Sequence, residues 1–386
     1  MSKSRNYGQL AKFALGVASA QWGVGNMSYF LMPHLIEGLV SGEIGLSEKM
    51  AGLVGTIELL CLAFTIIVLS AHIERIDKRK LAVGGIALAG LGYIASSFFD
   101  QVPMIAACRV FAGMGAGCAM AAANAMVASH DEPEQVYAWS FIVITPIQAL
   151  TIAVMPYFIE LGGHAGAYAY QALNATFYLV VVFFLFPRDE APPETRVKEK
   201  WFPKPMEMVM IGALFVFLVG DAGIWSFTER VAVSIGLDIK TVGLVLGVGV
   251  FAVPLGSALA SAVGMRFGRY LPLIFGLGLM STTVYMITHT AVQTVYMGSQ
   301  ISYNFAYAFA LPFVYGTAAA MDPKGRVVVA AMGIGLIGGA IAPFLSGLLA
   351  ETTGSYGVLG SLYGIIFLIV LVLTALAART IKRDDS

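Results

Sequence analysis

Three ionisable side chains, Glu58, Arg109 and Asp221, lie deep inside apolar stretches of this 386-residue chain. A charge at membrane depth costs about 2.5–3.5 kcal/mol on insertion scales, so it marks either a function or a partner. Burial favours the neutral form of a carboxylate. Glu58 and Asp221 are therefore candidates to take up and release protons. A guanidinium keeps its charge, so Arg109 is a candidate anion holder or a modulator of a nearby acid. The competing reading is an interhelical ion pair that serves packing alone. Polar and aromatic stripes at helical spacing accompany these residues. They are Trp22, Asn26 and Tyr29; Arg109, Gly113, Ala116, Met120 and Asn124; Asp221, Trp225 and Thr228; and Gln300, Tyr303, Asn304 and Tyr307. Any one stripe is equally well a line of interhelical hydrogen bonds and ring contacts. His34, Glu37, Glu43 and Glu48, like Glu229, Arg230 and Asp238, fall near the ends of apolar runs, where solvated ends are expected. No phosphate-binding glycine loop, metal-ligand spacing or nucleophile constellation occurs. The expectation is a non-enzyme with no cofactor and no metal.

The elements that position these residues follow from composition. The chain is 58% hydrophobic and 12% charged, with mean hydropathy +0.80. A soluble domain carries about 25% charged residues, so this chain belongs in a lipid bilayer. Its net charge of zero argues against nucleic-acid partners. The three cysteines, Cys61, Cys108 and Cys118, sit in apolar runs and read as small core residues. The basic start runs into an apolar stretch that continues past the faint cleavage-like Ala18-Ser19-Ala20, which reads as an uncleaved first helix.

On a ruler of about 20 apolar residues per span, twelve stretches emerge. They are 13–36, 50–71, 81–99, 103–128, 136–160, 165–186, 207–232, 241–263, 270–289, 292–320, 327–350 and 355–378. The expected fold is an all-α membrane protein of two pseudo-symmetric six-helix bundles. The domains are 1–187, a polar Pro-rich linker at 188–206, and 207–386. Residues 70–80, SAHIERIDKRK, have a weaker copy at 261–270, SAVGMRFGRY, near half the chain length away. That repeat points to two related halves, as in secondary transporters. Of the 23 Lys and Arg residues, 19 fall on the side that holds the N-terminus. Only Lys49, Arg230 and Lys240 fall on the other, and Arg109 lies within a span. The bias places both termini and the linker in the cytoplasm.

With those features the chain resembles the major facilitator superfamily of transporters over its whole length. The family's loop between the second and third spans reads Gly-x-x-x-Asp-Arg-x-Gly-Arg-Lys. Ser70, Glu74, Arg75, Asp77, Lys78 and Arg79 stand at those positions, with Ser and Asp replacing the two glycines. Arg109, Gly113 and Gly115 match the fourth-span pattern Arg-x-x-x-Gly-x-Gly. The fifth span carries Thr145-Pro146-Ile-Gln-Ala-Leu150 and lacks the glycines of proton-driven drug exporters; a closer echo sits at Gly338, Ala342, Pro343, Ser346 and Gly347. The resemblance implies that the first, fourth, seventh and tenth spans line a central cavity. The candidate cavity residues are then Trp22, Asn26, Tyr29, Arg109, Asn124, Asp221, Trp225, Gln300, Tyr303, Asn304 and Tyr307. Asp221, Glu58 and Arg109 are the candidate proton-coupling groups. Glu74, Arg75, Arg79, Arg266 and Arg269 are the candidate cytoplasmic gate. The implied function is proton-coupled transport of a small organic solute, an organic acid or aromatic metabolite, across a cell (inner) membrane by a monomer. Proton-antiport export of drugs or waste metabolites, and a receptor that moves nothing, are the alternatives.

Overall fold

The computed structural model describes residues 7–130, 133–188, 202–264, 266–322 and 326–381. The central part of the expected linker lies outside the described residues. Every regular element among the described residues is helical. The first span is the least regular. It runs as α1 (Tyr7–Ala18), a π-helical turn (Ser19–Gly25), α2 (Met27–Phe30) and α3 (Met32–Val40). Pro33 lies in the first turn of α3 and has no N–H to offer the preceding turn, which accounts for the break at Leu31. The following helices are α4 (Glu48–Ser70), α5 (Lys78–Ser96), α6 (Val102–Ala128) and α7 (Pro133–Leu185). The backbone of α7 leaves helical geometry at Gly162 and at Gly163, where φ is +53°, so it is two helices joined by a kink.

The later elements are α8 (Pro205–Ser234), α9 (Ile239–Val250), α10 (Ala252–Val263), α11 (Tyr270–His289), α12 (Gln293–Met321), α13 (Arg326–Thr353) and α14 (Gly357–Arg379). Pro254 cannot donate to the carbonyl of Val250, which separates α9 from α10. Eight helices among the described residues are long and apolar enough to cross a membrane. The whole set is consistent with twelve spans. α7 covers two of them, whereas the first span is broken, α5 opens on Lys-Arg-Lys and α12 is rich in Tyr, Gln and Asn. Large apolar side chains such as Phe64, Leu91, Phe98, Ile142 and Phe184 are exposed. An exposed apolar surface of this kind suits lipid rather than water. The chain is an integral membrane protein.

Two compact units form. The first comprises Met1–Gly45 and Ile57–Val197, the second Leu46–Thr56 and Lys198–Ser386. The first turns of α4 thus belong with the second unit. There Thr56 Oγ1 accepts from the backbone N–H of Phe344 at 3.1 Å, and Gly52 lies against the backbone of Pro343. Each unit has its own core. Tyr93, Tyr168, Tyr178 and Arg109 are wholly buried in the first, and Phe217, Phe227, Tyr296 and Phe367 in the second.

Candidate functional site

The first unit is built around Arg109. The guanidinium has five N–H donors, and five hydrogen bonds occupy them. Nε donates to Ser96 Oγ at 3.2 Å, Nη1 to Glu58 Oε2 at 3.4 Å and to Gln171 Oε1 at 3.3 Å. Nη2 donates to the Gly92 carbonyl at 2.9 Å and again to Ser96 Oγ at 2.6 Å. The rings of Tyr93 and Tyr168 lie 4.9 and 4.3 Å from its central carbon, where they stabilise the cation. Arg109 and Glu58 are each about 1% exposed. Glycines make this geometry reachable. A Cβ at Gly113 would run into the Glu58 carbonyl, and one at Gly92 would stand 2.8 Å from the Ala112 nitrogen. The three helices approach at backbone distance, and the ion pair sits in the seam.

Glu58 has a second attachment. Its Oε1 accepts from Ser28 Oγ at 2.5 Å. Ser28 also meets Tyr93 Oη at 3.3 Å and accepts from Gln171 Nε2 at 3.1 Å. Two of the three expected coupling groups, Glu58 and Arg109, are thus joined in one buried network. Sequence reasoning missed its other members, Ser28, Tyr93, Ser96, Tyr168 and Gln171. The available signal was a set of polar groups in mid-span away from the chosen stripes.

The α6 stripe does not behave as one surface. Arg109 is sealed among α4, α5 and α7, whereas Asn124 is half-buried and accepts from Gln21 Nε2 at 2.7 Å. The two are 124 − 109 = 15 residues apart, about 22 Å along a helix. Around the π-turn, Asn26 Nδ2 donates to the Gln21 carbonyl at 3.2 Å. The Trp22 carbonyl accepts from Gln148 Nε2 at 3.2 Å, and its ring packs on Phe141 at 5.1 Å. Trp22, Asn26 and Tyr29 are half-buried, and Tyr29 meets Phe30 edge-on at 5.8 Å.

In the second unit α8 and α12 run antiparallel and their stripes face each other in register. Phe217 stacks on Tyr307 at 5.9 Å, Asp221 Oδ1 accepts from Tyr303 Oη at 2.7 Å, and Thr228 Oγ1 donates to Gln300 Oε1 at 2.7 Å. Tyr296 Oη closes the ladder by donating to the Thr228 carbonyl at 2.9 Å. Asn304 donates to the Gln300 carbonyl at 3.1 Å, and Trp225 is buried on the same face of α8 as Asp221.

Several end-of-span residues differ from expectation. His34 and Glu37 are buried, because α3 continues the first span and packs on α7. Glu229 is fully buried too. Glu48 and Arg230 form a 2.8 Å ion pair in which Glu48 Oε1 also accepts from Tyr356 Oη at 2.5 Å. Of the candidate gate, Glu74, Arg75 and Arg266 are exposed and Arg269 is half-buried. Arg79 donates to the Phe183 carbonyl and lies over that ring at 5.9 Å. Asp77 caps α5 by accepting from the backbone N–H of Lys80 at 3.0 Å. That bond chiefly holds its carboxyl below the ordinary range. Asp238 caps α9 in the same way through Thr241 and Lys240, and its carboxyl is likewise held low, first by the Thr241 hydroxyl.

Residues 17–211 match the family model of the Major Facilitator Superfamily. The chain belongs to that superfamily. It is a membrane transporter, not an enzyme. A gentisate transporter of Corynebacterium glutamicum is 21% identical over 81% of this chain and 76% of its own length. The fold is that of solved superfamily structures. A D-xylose–proton symporter superposes with TM-score 0.71 at 14% identity, covering 98% of both chains. A bacterial homologue of the human lysosomal transporter Spinster, inward-facing and unoccupied, gives 0.73 at 13% identity over 98% of both.

Proposed function

We propose that this superfamily member is a proton-coupled secondary transporter of a small organic solute, working by alternating access, with Glu58 or Asp221 as the coupling acid. The observation that carries the proposal is the sealed Glu58–Arg109 pair. Such a pair is weak evidence for stability, since its desolvation offsets much of its attraction. A site kept at that expense is a functional candidate by default. Arg109 stays charged, so any proton entering the network must go to the carboxylate.

For the solute we propose an aromatic acid. The name of the gentisate transporter supports that class, as do the half-buried Trp22 and Tyr29. Every donor of Arg109 is already engaged. A carboxylate would therefore be met by amide and hydroxyl donors rather than by this arginine. Uptake of a proton alongside the anion would supply the neutralisation that the engaged Arg109 does not.

The test is uptake into proteoliposomes under an imposed pH gradient. Gentisate and related hydroxybenzoates come first, chosen by a thermal-shift screen in which a binder raises apparent stability. Glu58→Gln or Asp221→Asn is expected to abolish substrate-dependent proton uptake while retaining exchange of solute. Full proton uptake in both variants would show that neither acid couples the proton.

A further inference from the structure

We infer that Ser28 transmits the protonation state of Glu58 to the broken first span, which makes Ser28 a positioning residue for proton coupling. The inference rests on Glu58 as the coupling acid. Hydrogen-bond counting drives it. An ionised carboxylate only accepts, so the single Ser28 proton goes to Glu58 Oε1 across 2.5 Å. The two Ser28 lone pairs then receive Gln171 Nε2–H at 3.1 Å and the Tyr93 hydroxyl at 3.3 Å. Ser28 is saturated, and the direction of every bond follows from the negative charge on Glu58.

A proton bound at Glu58 Oε1 turns that oxygen into a donor aimed at Ser28. Three donors then converge on two lone pairs, unless the Ser28 proton turns to Tyr93 Oη and reverses that contact. A proton on Oε2 instead faces the Arg109 Nη1–H that now bonds there. In the first case at least one Ser28 contact must break or reverse, and a buried polar group left unmatched costs about 1–3 kcal/mol. The charged and titratable groups around Glu58 are Arg109 from α6, Tyr93 from α5, Tyr168 from α7 and Cys61 on α4 itself, with Cys108 beside Tyr168. None of them supplies a second carboxylate to take the proton instead.

The place of Ser28 in the fold turns this local change into movement. It lies on α2, a piece of only four residues. The π-turn Ser19–Gly25 precedes it and the break at Leu31 follows it. π-turns inside helices recur at functional sites. A segment interrupted on both sides shifts without dragging whole spans. The half-buried Trp22, Asn26 and Tyr29 ride on the same piece of chain.

The experiment uses the full chain in lipid nanodiscs across a pH series and needs no substrate. Difference infrared spectroscopy follows the carboxylic-acid band lost in Glu58→Gln. Hydrogen exchange follows the backbone of 19–31. The wild type is expected to change exchange in 19–31 by about threefold or more as the Glu58 band titrates. Ser28→Ala should keep the infrared titration and lose the exchange response; Ser28→Thr, which keeps the hydroxyl, should restore it. A wild-type segment that stays fixed while Glu58 titrates overturns the inference even if neither Ser28 variant folds. So does a Ser28→Ala segment that responds like wild type. Absence of any Glu58 titration removes the coupling role of Glu58, and the inference falls with it.

Discussion

Truncating Arg109 strands a carboxylate in a space that excludes water. Arg109→Met is expected to destabilise the protein by about 3–5 kcal/mol, the range for leaving one buried charge unpaired. Glu58→Leu leaves a guanidinium that keeps four of its five hydrogen bonds, so its loss should be smaller. The double variant should recover part of the Arg109→Met loss, because both charges then leave together. Thermal unfolding of the four proteins in one detergent checks this. A strictly additive double variant would mean that the 3.4 Å pair carries no coupling energy.

At the level of single elements, the helix starts are set by short-range chemistry. Asp238 accepts from the Thr241 hydroxyl at 2.5 Å and from two backbone N–H groups at the start of α9. Asp238→Ala should destabilise this end by about 1 kcal/mol. The sign of the pH effect follows from the carboxyl being held below its ordinary value in the folded state. The folded form then binds its proton less readily than the unfolded one. The cap contributes fully above the unfolded carboxylate range and is lost as pH falls through the depressed folded value. Hydrogen exchange at the start of α9 should therefore be insensitive to pH near neutrality, beyond the intrinsic exchange rate, and rise in acid. The same acid-dependent rise in Asp238→Ala would assign it to another group.

For the whole molecule, the Lys and Arg segregation gives an orientation that labelling can check. In a background without Cys61, Cys108 and Cys118, a cysteine at Glu43 should react with an impermeant maleimide from outside intact cells, and one at Lys80 only after lysis. Reversed labelling would invert the topology. The outcome also bears on transport. The basic loop at 70–80 acts as a cytoplasmic gate only if it faces that side.

The sequence by itself determined the class, the approximate spans and the identity of the costly residues. Those depend on composition and local order: about 20 apolar residues per span, and a charge inside an apolar run at Glu58, Arg109 and Asp221. The α8 and α12 stripes were legible for the same reason, since regular helices keep i, i+4 neighbours on one face, and the pairing of Asp221 with Tyr303 joins two such faces. Tertiary structure alone decided where each charge goes. Arg109 shares a stripe with Asn124 yet turns into the seam made by Gly92 and Gly113, because only backbone contact there brings a carbonyl, a serine and a glutamate within reach of one guanidinium. His34, Glu37 and Glu229 read as solvated ends and are buried. Spacing along one helix carries no information about which neighbour covers it. Ser28 was invisible in one dimension for the same physical reason: its role comes from Glu58, Tyr93 and Gln171, three residues distant in sequence that meet at one hydroxyl.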